Sequence, residues 1–143
     1  MTRTASLGTL AADLRVAIGR TARRIRTEKS DLDLSDTQMS VLFLLDRDGA
    51  TTPGELAEHE RVQPPSMTKV INALADRGLV QRSDHPDDRR QVLITVTEAG
   101  RSEVRETRRR RDAWLARRLA DLTPDERATL AAASTLLRRI AAS

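Results

Sequence analysis

Gln63, Pro64, Ser66, Thr68, Lys69 and Asn72 bring amide, hydroxyl and ammonium groups together at the start of one amphipathic segment. Those groups suit the edges of nucleic-acid bases. Gln and Asn amides can pair bidentately with adenine, and Ser or Thr hydroxyls can meet either base edges or phosphates. Further along, Arg89 and Arg90 follow Asp84, Asp87 and Asp88. A cation at such a tip can enter a minor groove, where narrow A·T tracts deepen the negative potential. Each feature also has a plainer reading. Ser66 and Thr68 can bond their own helix backbone, and an Asp-rich stretch is most often a solvated turn rather than a divalent-metal centre. His59 and His85 are too few and too far apart in sequence to suggest zinc. Neither stands near a nucleophile that would complete a triad. No catalytic residue, metal or cofactor is therefore expected, and an enzyme has no constellation behind it.

These residues need elements to position them. Leu7, Leu10, Leu14, Ile18 and Ile25 recur at helical spacing and predict a long helix from about Leu7 to Lys29. Ser35 or Asp36 can cap a second helix, apolar on most faces through Met39, Val41, Leu42, Phe43, Leu44 and Leu45, and ended by Asp48-Gly49. Thr52-Pro53-Gly54-Glu55 reads as a capping box opening a short third helix. Pro64-Pro65 opens a fourth, with Met67, Val70, Ile71 and Leu74 inward and Gly78 just past its end. Two helices across a tight turn, the second polar at its exposed start, form a helix-turn-helix pattern. A strand then begins at Leu79-Val80, Ser83–Arg90 has turn composition, and Val92 to Thr97 alternates as a second strand. A long helix from Glu98 to Leu122 follows, and Thr123-Pro124-Asp125-Glu126 starts the last one, striped by Leu130, Ala133, Leu137 and Ile140. The fold class is mainly α with a minor β part: a winged helix-turn-helix with a two-stranded wing, flanked by N- and C-terminal helices. The expected division is a DNA-binding domain over 31–97 and a helical dimerisation region formed by 1–30 with 98–143. The outer helices have apolar stripes and little chain to cover them, which points to a second copy as partner.

Composition bounds the rest. With 143 residues there is room for one domain and a helical extension. Cysteine is absent, which removes disulfides, thiolate metal sites and thiol-based redox sensing, and fits a reducing cytosol; a DNA-binding protein there is expected to be cytoplasmic and nucleoid-associated. The first 26 residues are apolar only at helical intervals, so neither a signal peptide nor a membrane span is expected. One Trp, one Phe and no Tyr leave little for stacking on single strands. Net charge is +4, but residues 51–97 hold six basic groups against seven acids. Placement, not bulk charge, has to carry nucleic-acid binding.

The sector from Thr52 to Gly100 resembles the MarR family of bacterial transcriptional regulators. The matching phrases are PGELAEH, SMTKVINALADRGLV and DHPDDRRQVLITVTEAG. The resemblance implies a homodimer whose terminal helices interlock and whose two winged domains meet a pseudo-palindromic site on double-stranded DNA. It implies repression and, in many members, release by a small-molecule effector, unidentified here. It also implies that Asp88 braces one wing arginine while the other reaches DNA.

Two other functions compete: an architectural DNA binder without effector, and a winged helix used for protein interaction. Arg108 to Arg111 are four consecutive helical arginines. They are expected in solvated or intersubunit ion pairs, with the acidic 31–36 run as a natural partner, ahead of phosphate contact or an anion pocket. Trp114 is expected in the dimer or junction core rather than as a ligand platform.

Overall fold

In the computed structural model, residues 6–143 are described. Residues 1–5 of the expected N-terminal dimerisation region, Arg3 among them, lie outside the described residues. The elements run α1 (Leu7–Arg26), α2 (Asp36–Asp48), α3 (Pro53–Glu60), α4 (Pro64–Asp76), β1 (Val80–Asp84), β2 (Val92–Val96), α5 (Glu98–Ala120) and α6 (Pro124–Ala141). This is the mainly helical winged helix-turn-helix expected.

Local chemistry sets most of the boundaries. Ser35 and Gln38 form a reciprocal capping box at α2, and Thr123 and Glu126 form another at α6. At α3 only half of the expected box is made. Thr52 Oγ1 accepts from the Glu55 N–H at 3.2 Å, and the return bond from the Glu55 side chain is not among those formed by the described residues. Gln63 starts α4 without a side-chain cap, as Pro64 and Pro65 have no N–H to satisfy. Gly78, at φ 71°, ends that corner in the left-handed region.

β1 and β2 pair antiparallel, from Val80 opposite Val96 to Asp84 opposite Val92. Thr51 adds a single bridge to Ile94, with N–H···O distances of 3.0 and 2.8 Å. The core lies under this sheet and between α2, α3 and α4. Leu42, Leu45, Leu56, Met67, Ile71, Leu74 and Ile94 are buried there, as the helical and strand periodicities require. The start of α5 is part of the same core, through buried Gly100, Val104 and Thr107.

The rest of the chain is differently placed. Neither α1 nor α6 contains a buried residue. Leu10, Leu14, Ile18, Leu130, Leu136 and Ile140 are all exposed. Thr21, Leu115, Leu119, Leu130, Ala133 and Leu137 line an open apolar groove of about 400 Å³ between these helices. Among the described residues, no helix is long and apolar enough to cross a membrane.

Candidate nucleic-acid interface

Helix α4 turns Met67, Ile71 and Leu74 into the core, so its opposite face must point outward. Gln63, Pro64, Ser66, Thr68, Lys69 and Asn72 are all exposed on it. All six expected residues therefore lie together on the exposed side of one helix. Their hydrogen-bonding states differ. Thr68 Oγ1 donates to the Pro64 carbonyl at 3.1 Å, so the plainer reading of this hydroxyl is satisfied while its lone pairs stay open. Asn72 Oδ1 accepts from Nη2 of Arg82, a β1 residue. That bond joins the outer face of α4 to the base of the wing.

The wing tip is held by groups that leave its arginines free. His85 Nδ1 accepts from the backbone N–H of Asp87 at 3.1 Å and of Asp88 at 3.2 Å. The His85 N–H reaches the Gln91 carbonyl at 3.3 Å, and the Gln91 N–H returns to the Asp88 carbonyl at 3.0 Å. Asp88 Oδ1 accepts from the backbone N–H of Arg90 at 3.0 Å. The brace expected of Asp88 thus closes on the main chain rather than on a guanidinium. A carboxylate two residues back reaches an amide more readily than a long, mobile side chain. Arg89 and Arg90 are exposed, and neither makes an ion pair among the described residues.

Two residues of this interface escaped the sequence reading. Arg82 was visible only as one more basic group, because its contact depends on the angle between wing and helix. His85 read only as a metal-ligand or triad histidine, and was set aside as both. Its place before Pro-Asp-Asp, in a turn needing acceptors for successive amides, was the available signal.

Behind the interface, Arg108, Arg110 and Arg111 of α5 tie that helix to α2 and to the segment between α1 and α2 within one chain, whereas Arg109 bonds only Glu106 on α5 itself. Arg108 pairs with Asp46 at 3.3 Å, and Arg110 with Asp31 at 3.4 Å and the Lys29 carbonyl at 2.9 Å. Arg108 and Arg111 lie 5.2 and 5.5 Å from the centroid of Phe43. Burial pulls the half-buried Arg111 guanidinium below its ordinary value. Trp114, half-buried, is flanked by Arg24 at 4.3 Å and Arg118 at 5.3 Å. It sits at the junction of α1 and α5. The expected acidic partner of the arginine run is there in Asp31, but it belongs to the same chain.

Hydrogen bonds from Arg109 and then Arg110 hold the Glu106 carboxyl down at about 2. Because this lies below the ordinary 4.5, the pairs contribute stability above that pH and lose it as pH falls through about 2. NMR titration of the Glu106 carboxyl carbon is expected to show its midpoint near 2. A midpoint at the ordinary value would mean that these pairs do not form in solution.

A sequence model of the MarR family matches residues 34–92, from the second helix to the start of β2. An HTH-type transcriptional regulator of Mycobacterium tuberculosis is 48% identical over 128 residues, covering 90% of each chain. Among solved structures, a putative transcriptional regulator of Pseudomonas aeruginosa superposes with a TM-score of 0.83 at 34% identity, covering 97% of this chain and 98% of that one. BpsR of Bordetella bronchiseptica, whose DNA binding is regulated by 6-hydroxynicotinic acid, superposes with a TM-score of 0.65 at 28% identity, covering 93% and 98%.

Proposed function

The chain belongs to the MarR family of DNA-binding transcriptional regulators, and we propose that it acts as a repressor, binding a pseudo-palindromic operator as a homodimer. The observation that carries this reading is the pairing of two exposed features. One is the polar face of α4, joined through Asn72 and Arg82 to a wing whose tip arginines, Arg89 and Arg90, make no ion pair among the described residues. The other is the apolar stripe of two amphipathic helices, α1 and α6, in which no residue is fully buried. Gln63, Ser66, Thr68, Lys69 and Asn72 enter the major groove, with Pro64 setting the start of the helix. Arg89 and Arg90 reach the flanking minor groove, and Asp88 holds the turn that presents them. Residues 31–97 make the DNA-binding domain, and 1–30 with 98–143 make the dimerisation region. The first turns of α5, up to Thr107, serve both. The family is one of regulators, not of enzymes, and no reaction is assigned.

Release by a small molecule fits the same frame. A cleft of about 170 Å³ opens between arm and winged domain, lined by Arg26, Asp36, Ser40, Phe43 and Arg111. Its two guanidiniums and aromatic ring suit a small anionic or aromatic effector, and BpsR is regulated by an acid of that kind. An effector that binds there shifts the arm against the wing only if it favours one of the two arrangements.

Footprinting on the flanking genomic DNA tests the reading. A discrete protected palindrome is expected, with half-sites about one helical turn, roughly 34 Å, apart. Diffuse, length-dependent protection would sink it. Replacing Arg89 and Arg90 together with alanine is expected to weaken operator binding about tenfold to a hundredfold and to lower the salt slope by about 2. Oligomeric state and circular dichroism should not change. Unfolding or monomerisation on that change would contradict the assignment of the wing.

A further inference from the structure

Asn72 is the one amide on the outer face of α4 whose orientation chemistry settles. A guanidinium offers donors and no acceptor, so the end of Asn72 that meets Arg82 must be its oxygen. The NH₂ end keeps both of its donors free of partners among the described residues. One turn earlier, Thr68 has committed its proton to the Pro64 carbonyl and offers lone pairs only. The helix thus presents an acceptor at 68 and a donor at 72.

We propose that Arg82 is a specificity-determining positioning residue: it fixes Asn72 as a hydrogen-bond donor, so that the base opposite Asn72 is read through acceptor atoms. Guanine, with O6 and N7, and thymine, with O4, satisfy a donor in the major groove. Adenine does so less well, because its N6–H₂ and N7 pattern calls for the amide oxygen that Arg82 holds. Arg82 acts through Asn72 and need not touch the base. This inference rests on the reading of α4 as the helix in the major groove.

The experiment uses the full-length protein and its footprinted operator, with each base pair under the protected half-sites varied through all four identities. Wild type is expected to favour guanine or thymine over adenine about tenfold at one position in each half-site. Arg82→Ala should collapse that preference, or turn it toward adenine, while the other positions keep theirs. Asn72→Ala should abolish the same preference, and adding Arg82→Ala to it should change nothing further there. Arg82→Lys, which still donates, should keep the preference. The inference is overturned if Arg82→Ala weakens every operator equally, flattens the salt slope and leaves base preference untouched, since Arg82 is then a phosphate contact. It is overturned also if wild type prefers adenine at the position that Asn72→Ala erases. Absence of any discrete footprint with wild type would instead defeat the operator-binding reading itself, and this inference with it.

Discussion

Leu137→Asp combined with Ile140→Asp is expected to give a monomer with an intact winged domain and operator affinity about a hundredfold lower or worse. The reasoning begins with cover. In the single chain Ile140 is 62% exposed and Leu7 86%, and no residue of α1 or α6 is fully buried, although Ile25 and Leu137 are partly covered. Helices of 20 and 18 residues with no buried side chain have little tertiary packing to hold them. Fully covering one Leu or Ile is worth about 1.5–3 kcal/mol, and the stripe supplies several. A second copy laid against the open groove beside Leu115, Leu119, Leu130 and Leu137 removes that surface from water. An aspartate in the seam reverses the gain, because a carboxylate without a partner is costly to desolvate. DNA binding falls because two tethered half-sites bind with an effective concentration that a monomer lacks, an advantage of about 10² to 10⁴. Sedimentation analysis beside mobility shifts on full and half operators separates the effects. The variant should bind a half-site about as well as wild type does. A variant that remains a dimer would place the interface elsewhere, and one that loses the fold would make these helices structural within the chain.

How far the residues alone disclosed this arrangement depends on the range of the interaction involved. Boundaries set by a cap and its near neighbours, as at Ser35 and at Thr123 with Glu126, were legible, although the return bond from Gln38 to Ser35 was not foreseen and the box read at Thr52 and Glu55 is only half made. So was the inward face of α4, since Met67, Ile71 and Leu74 follow from period alone. The end of α1 was less so. Apolar spacing carried it to Lys29, but it stops at Arg26, where Thr27 Oγ1 donates to the Arg24 carbonyl at 2.7 Å. Contacts between elements were not legible at all. Thr51 bridging Ile94, Arg82 on Asn72, and Ser30 Oγ on the buried Glu103 carboxylate each depend on how elements are packed. A charged residue inside a helix as polar as α5 gives no sign that it will be buried. The candidate site divides in the same way. Its residues were legible as types on one helix face, whereas the polarity of each was set by a partner elsewhere in the fold.

Gly100→Ala is expected to destabilise the protein by about 3 kcal/mol or more, at the upper end of what overpacking costs. Gly100 lies in the first turn of α5, where its N–H donates to Thr97 Oγ1 at 3.1 Å. Its backbone needs no left-handed conformation, so the requirement is one of space. A methyl group placed there would lie 2.2 Å from the Leu79 carbonyl oxygen and 2.6 Å from Cγ2 of Val96. Neither neighbour can step aside easily. The Leu79 carbonyl accepts the Thr97 N–H at 3.0 Å, Thr97 Oγ1 donates to the Gly78 carbonyl at 2.6 Å, and Val96 closes β2 opposite Val80. The corner leading from α4 into β1 and the start of α5 are thus fastened to each other at the point where the methyl would enter. Relief requires moving α5, which in the proposed dimer sets the distance between two winged domains. Gly54 is the control. It is also helical, but nothing lies within 4 Å of a Cβ built on it, so Gly54→Ala should be neutral or stabilising by up to about 1 kcal/mol. Urea unfolding of both variants at one fixed protomer concentration makes the comparison, since dimerisation makes stability depend on concentration. If Gly100→Ala unfolds at the wild-type midpoint, the close approach of α5 to the Gly78-Leu79 corner is wrong. If it folds but shifts α5, operator binding should fall while binding to a single half-site survives, because the spacing between the two copies of α4 is then what has been lost.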